Sequence, residues 1–549
     1  MGYNRGMLDD IDPAAIADPV ARVLIIRLLN LVDQQAGQLR AQAEEIQRLR
    51  DEIARRKGEQ GHPKINPQVG PPAPPLSSEA ERRIARKRQP QGKQAHLTIT
   101  REEICRLDRA TLPPDAQFKG YEDVVVQDLR IEADTIRFRK EKFYSPSLGQ
   151  TFLAPLPAGY HGQFGPDLHS FLLSQYFAAN ISEAKLAQFL GYLGIQMARG
   201  QLSHLLTTAV TAFHTESSAV LAAGLASSDY QQLDETGTRV NGQNYACHVV
   251  TTPAYTAYRT TAGKDRLSVL RALTNQEPLG YRLNAQVLRY VEQQGLAAKW
   301  LTGLAAWPTD QVWSETELTA RLAEWGRLPV GQAKLLREGL ALGAYHAQTA
   351  WHPVAILIVD DAPQWQQISP AIGLCWVHEG RHYKKLVPVV RCLARIQARF
   401  VGRFWRYYDQ LQAYRAAPTT DRARWLRAKF RRLFSTVTAY QELNAVIART
   451  KAKETELLRV LEVPHLPLHN NAAELGARVR VRKRDVSFGP RSPAGLKAWD
   501  TFMTLVETTR KVGVNFYAYV RDRLRGRGAI PPLADLVTQT AAALKLIPA

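Results

Sequence analysis

Cysteine is scarce in this chain: Cys105, Cys247, Cys375 and Cys392 stand far apart and form no Cys-x-x-Cys pair. That excludes a disulfide framework and points to a reducing compartment. No apolar run approaches the ~18 residues that a membrane span needs. The opening Met1–Asp12 carries acids and no apolar core segment, so no secretory signal is expected. Acidic residues are also in short supply, with 51 Asp and Glu against 72 Lys and Arg, a formal charge of +21 and a pI near 9.8. An excess of this size favours a polyanion, because each neutralised phosphate releases counterions. The expectation is a soluble, cytoplasmic, nucleoid-associated protein that binds double-stranded DNA and no membrane.

With 549 residues and 45% hydrophobic composition, the chain is long enough for several cores. The pattern predicts a multidomain α+β protein. Residues 1–60 hold a long helix in which Ile25, Val32, Leu39, Ile46 and Ile53 recur every seven residues, joined by Leu29, Ala36 and Ala43. This is a coiled-coil signal that implies a homodimer or larger assembly, although a solitary helix docked on its own protein fits the same stripe. Residues 61–96 read as a Pro- and Gly-rich linker with a basic arm, Glu81–Gln94, suited to DNA phosphates or to plain solvation. Residues 97–160 are rich in β-branched and aromatic side chains and predict a small β domain. Residues 161–225 predict a helical DNA-binding region, either a helix-turn-helix or an ordinary helical hairpin. Residues 226–515 alternate strands and helices, with helical insertions at about 275–350 and 376–465, and residues 516–549 form a helical tail.

Three carboxylates carry the chemistry. Asp234 ends the apolar run YQQLD, Asp360 follows the very apolar AILIV, and Glu474 sits in the helix-forming HNNAAELGARVRVRKR. Three consecutive strands, a helix and a fourth strand ending in Asp give the order of a ribonuclease-H-like α/β catalytic core, which sets Asp234 and Asp360 at neighbouring strand ends. Carboxylates converging there hold two divalent ions ~3.5–4 Å apart for in-line phosphoryl transfer. Hard oxygen ligands suit Mg²⁺, with Mn²⁺ as a substitute. Asp361 remains an alternate for Asp360, and Glu235 for Asp234. Asn470 and Asn471 lie beside Glu474 as supporting amides. Arg478, Arg480, Arg482, Lys483 and Arg484 follow as candidate phosphate contacts, although Arg478 also suits an i,i+4 ion pair with Glu474.

Asp360 and Glu474 are separated by 113 residues, within which Arg381–Arg432 holds fifteen Lys and Arg and two acids. Lys384, Lys385, Arg399, Arg403 and Arg406 are candidate DNA contacts there. Phe400, Phe404, Trp405, Tyr407, Tyr408, Tyr414 and Trp425 either stack on unpaired bases or form the insertion's own core. Cys375-x-x-His378 has zinc-like spacing but lacks further ligands nearby in sequence, so no structural zinc is expected and His378 is read as a supporting residue.

The segment HNNAAE followed by RVRVRKRDVSFG resembles the Asn-Asn-x-x-Glu…Arg-Lys…Phe-x-Gly block of DDE transposases of the insertion sequence 66 type. VDDAPQW, CWVHEGRHYKK and LDETGTRVNG resemble that family's second-Asp, Cys-x-x-His-x-x-Arg and first-Asp segments, and FMTLVETTRKVGVNFYAYVRDRL its closing helices. The chain departs from the family in lacking an upstream Cys-rich zinc module, in carrying Asp361 where Gly is usual, and in its longer insertion near 275–350. The resemblance implies an enzyme that cleaves DNA at element ends and joins the 3′-hydroxyl to target DNA. It also implies that Asp234, Asp360 and Glu474 hold the metals, with possible accessory proteins from the same element. The competing readings are a metal-dependent nuclease without strand transfer and a domesticated, non-catalytic DNA-binding regulator.

Overall fold

A computed structural model describes residues 11–56 and 98–547, apart from 12, 109–110, 114–115, 161, 209 and 310. The expected linker and basic arm lie outside the described residues. The fold is mixed α/β and mostly helical.

Helix α1 (Pro19–Arg56) docks near its first third. Leu29 is buried and Ile25 packs on the core. Asp33, also buried, accepts hydrogen bonds from Val389 N (2.5 Å) and Tyr440 Oη (3.1 Å). The Asn30 amide pairs with Ala439 O and Gln441 N, both at 2.9 Å. Farther along, Leu39, Ile46 and Ile53 are exposed. One heptad stripe therefore serves two purposes, its first part turned to the chain's own helices and its second to solvent.

The small β domain expected over residues 97–160 is absent among the described residues. Only a hairpin forms, β1 (Lys142–Ser145) with β2 (Gln150–Leu153), while the described residues of 98–141 form no strand and stay exposed. β-Branched content favours a pleated surface, but a strand needs a partner and a covered face. Helices α2 (Pro166–Leu173), α3 (Glu183–Tyr192), α4 (Arg199–Thr207) and α5 (Thr211–Ala226) follow. They pack into the common core: Phe177, just after α2, stacks on Phe502.

The sheet places the site. Its order is β5 (Tyr255–Thr261), β4 (Gln243–Thr252), β3 (Tyr230–Val240), β8 (Ile356–Val359), β9 (Ala371–Leu374). β3, β4 and β5 are antiparallel, whereas β8 and β9 run parallel to β3 and to each other. Asn241 (φ 47°) and Gly242 (φ 78°) make the β3–β4 turn, as the Asn-Gly pair predicts. Helix α6 (Arg266–Leu273) leads into the first insertion. That insertion holds α7 (Ala285–Gln293), α8 (Ala298–Ala305), α9 (Glu315–Glu324) and α10 (Val330–Ala347), with the two-residue strands β6 (Tyr281–Arg282) and β7 (Val312–Trp313). The second insertion contains α11 (Trp376–Lys385), α12 (Arg391–Ala416), α13 (Thr420–Leu433), α14 (Gln441–Ala452) and α15 (Glu454–Leu457). Then come α16 (Asn471–Ser487), α17 (Pro493–Lys511), α18 (Phe516–Leu524) and α19 (Leu533–Ala543).

Helix α17 seals the open edge of β5. Thr508 Oγ1 accepts from Thr256 N, Thr504 Oγ1 from Tyr258 N, and Asp500 from Thr260 N at 2.7 Å. Four helical residues rise about 6 Å and two strand residues about 6.6 Å, so an i, i+4, i+8 column matches alternate strand amides. Buried Arg480 from α16 donates to Asp500 at 3.2 Å. We predict that Asp500→Ala costs about 3–5 kcal/mol, because it strands a buried guanidinium and an edge amide. Thr508→Ala should cost only about 1 kcal/mol. Denaturant midpoints of the two variants check this, and equal losses would contradict it.

Candidate active site

At one end of the β3–β8 pair, Asp234 lies near enough to Asp360 and Glu474 to feel both of their charges. Asp234 does not end its strand, as the apolar run suggested: β3 continues to Val240, paired with β4 throughout. What stops at that level is the pairing with β8, whose last register partner on β3 is Gln232. Beyond it the sheet opens, and Asp360 directly follows β8. Burial pushes the Asp234 carboxyl up to about 7, with the charges of Asp360, Glu474 and Glu235 adding to the rise and the Glu235 N–H opposing it. The three carboxylates therefore interact electrostatically across a poorly solvated space.

Asp360 and Asp361 have different partners. Asp360 Oδ1 accepts from Trp365 Nε1 at 2.6 Å and from Ala362 N at 3.2 Å, and its charge acts on Asp234. Asp361 turns to Lys453, 2.5 Å away, whose other partner is buried Glu379 at 3.0 Å.

Glu474 lies in the first turn of α16, where the unpaired N–H groups favour a negative charge. Gly476 lets this helix lie close against the sheet, since a Cβ there would sit 2.7 Å from Val249 Cγ1. Asn470 is the N-cap residue of α16, and its carbonyl accepts from Glu474 N at 3.1 Å. It is buried, donates its amide to Leu233 O, and its backbone N–H reaches Cys375 Sγ at 3.3 Å. Asn470 ties α16 to β3 and to the start of α11, and Asn471 beside it is also buried.

Arg381 is a site residue that the sequence reading left without a role. It donates to Glu474 Oε2 at 2.9 Å and to His378 Nε2 at 2.8 Å. An arginine is always a donor, so Nε2 must accept and the His378 proton sits on Nδ1. Burial first, then Arg381, lowers the His378 pKa, which keeps the imidazole neutral. Its Nδ1 is 3.5 Å from Glu474 Oε1, and both atoms are buried without a hydrogen bond. The i,i+3 spacing of His378 and Arg381 in WVHEGR was the available signal. Arg478 is 3.9 Å from Glu474 and half exposed.

Cys375, His378 and Glu474 offer ligand atoms within 4.8 Å of one another, so Glu474 supplies a third ligand that the sequence spacing did not reveal. Burial pushes the Cys375 thiol up to about 11 despite N–H contacts from His378 and Asn470, which disfavours the thiolate that zinc requires.

Two of the expected phosphate contacts are internal. Arg480 is fully buried against Asp500 and 4.9 Å above the Trp499 ring. Lys483 is buried too: it donates to the Tyr176 carbonyl, stands 3.4 Å from that ring's centre, and burial lowers its pKa to about 7. Helical periodicity explains this, because Arg480 and Lys483 are three apart on the face turned to the core. Arg484 donates to Gly237 O at 2.6 Å and braces the extended part of β3. Arg478, Arg482, Lys384, Lys385, Arg399, Arg403 and Arg406 are exposed. The aromatics of the second insertion also divide, with Phe400, Phe404, Tyr407, Tyr408 and Tyr414 buried and Trp425 exposed.

The raised Asp234 pKa has a definite sign. Between the unfolded value of 3.8 and the folded value of about 7, the folded state binds more protons, so stability falls as pH rises through this window. In buffer free of divalent cations, Asp234→Asn removes that loss. Its melting temperature relative to wild type should therefore rise between pH 4 and pH 8, and a constant difference would contradict the carboxylate cluster.

Among the described residues no helix is long and apolar enough to cross a membrane. The family model described as Transposase IS66 family matches residues 344–498, the span that holds Asp360, His378, Arg381 and Glu474. An uncharacterized protein of Sinorhizobium fredii, y4jO, is 32% identical over 326 residues, covering 59% of this chain and 100% of that protein. No solved structure matches the chain. The family match over residues 344–498 places the chain in the IS66 transposase family.

Proposed function

We propose that this chain is a DDE transposase that cleaves DNA at the ends of its element and joins the freed 3′-hydroxyl to target DNA. The observation that carries the reading is the convergence of Asp234, Asp360 and Glu474, with Glu474 Oε1 buried and without a hydrogen bond. The sheet order β5-β4-β3-β8-β9 supports a ribonuclease-H-like core. Family membership carries the coarser statement, a DNA-cleaving enzyme.

The residues fit divalent cations. Asp360 and Glu474 both act on Asp234, and the repulsion felt in its raised pKa would be relieved by positive charge. Asp234, Asp360 and Glu474 would hold two Mg²⁺ ions, or Mn²⁺ in their place. When bound, such ions activate an oxygen nucleophile and stabilise the leaving oxygen of an in-line displacement. The rest falls to the chain: Arg381 orients Glu474 through Oε2, His378 stays neutral beside Oε1, and Trp365 fixes Asp360 through Oδ1. Arg478 and Arg482, exposed on α16, supply charge for substrate phosphates. The exposed stripe of Leu39, Ile46 and Ile53 on α1 suits pairing with the same stripe of a second copy.

Glu474→Gln should abolish metal-dependent cleavage of element-end DNA while leaving the affinity for that DNA within about twofold. Cleavage at wild-type rate would reject the carboxylate assignment. Cleavage without any strand-transfer product in the wild-type protein would favour the nuclease reading instead.

A further inference from the structure

The α12–α13 hairpin sorts its aromatic side chains. Tyr407 and Phe430 pack inward, and Tyr407 Oη donates to Leu426 O at 2.9 Å. Trp425, one position before Leu426, points the other way and is 41% exposed. An indole left in water loses the burial that normally stabilises it.

The cations are sorted as well. Arg424 pairs with Asp421 at 2.8 Å, Arg431 with Glu454 at 2.8 Å, and Arg427 with Glu462 at 3.5 Å. Around Trp425 the pattern reverses. The Arg422 guanidinium lies 4.2 Å from the ring centre and Lys429 Nζ 4.6 Å from it. Neither has a carboxylate partner among the described residues, and the same holds for Arg406 and Arg432. Slight burial, then Arg432, Arg422 and Arg406, hold the Lys429 pKa below its ordinary value. Two cations thus flank one exposed indole, and Arg432 and Arg406 lie near enough to Lys429 to act on it.

We propose that this face of the hairpin is a cradle for an unpaired nucleotide of the DNA substrate. In this cradle the base stacks on Trp425, and Arg406, Arg422, Lys429 and Arg432 hold the flanking phosphates. Magnitudes favour exchange of the ring's present neighbours for a base. A stacked base is a stronger partner for an indole than an exposed cation is. A displaced cation gains a phosphate in return. The inference rests on the DNA-processing function proposed above and adds a preference for unpaired strand over closed duplex.

The test uses the full chain and two probes, a blunt duplex and the same duplex with a single-stranded 3′ extension, read by fluorescence anisotropy. Wild type should bind the extended probe more tightly than the blunt one. Trp425→Ala should weaken the extended probe about tenfold, the equivalent of one stacked base, and leave the blunt duplex unchanged. Trp425→Phe should recover part of the loss. The double variant Arg422→Gln, Lys429→Gln should lower the slope of log affinity against log salt by about 2 on the extended probe. If wild type prefers the extension and Trp425→Ala binds it equally well, the cradle is wrong and the general function stands. If wild type binds neither probe, both fall.

Discussion

Repulsion felt at half-buried Asp234 from Asp360 and Glu474 is the constraint around which this site is organised. Asp234 is removed from water and faces Asp360 and Glu474, which raises its pKa to about 7. Such a cluster costs stability unless positive charge or hydrogen-bond donors answer each member. The answers are specific. Glu474 receives Arg381 and sits in the first turn of α16, Asp360 receives the Trp365 indole, and among the described residues Asp234 receives the Glu235 N–H at 2.9 Å. Asp234, with a single backbone donor, is the member whose pKa is raised.

Holding this geometry requires rigidity on every side. β3 and β8 fix Asp234 and Asp360 by parallel pairing, and Asn470 fixes Glu474 by joining α16 to β3 and to Cys375. The far edge of the sheet is locked by α17 through Thr508, Thr504 and Asp500. Arg480 links α16 to that lock. One helix therefore carries a site residue at its start and a structural anchor two turns later, which couples the position of Glu474 to the integrity of the sheet edge.

Much of this was legible in the chain. Apolar AILIV and the Asp after it marked β8 and the second carboxylate, Asn-Gly marked the β3–β4 turn, and the spacing of Asp234 and Asp360 followed from strand order. The rest depended on partners that sequence does not reveal. Strand-like residues in 98–141 find no neighbouring strand. Arg480 and Lys483 look like phosphate ligands in a basic run, yet their helix face meets Asp500, Trp499 and Tyr176. Asp360 and Asp361 differ only by a half-turn of extended chain, and Lys453, 92 residues downstream of Asp361, decides which one is neutralised.

That last distinction gives the most direct test of the carboxylate centre. Mn²⁺ binding to the full chain, followed by electron paramagnetic resonance, compares wild type with Asp360→Asn and Asp361→Asn. If Asp234, Asp360 and Glu474 form the cation site, Asp360→Asn loses at least one bound Mn²⁺ and Asp361→Asn retains the wild-type number. Retention by Asp360→Asn with loss by Asp361→Asn would contradict the account.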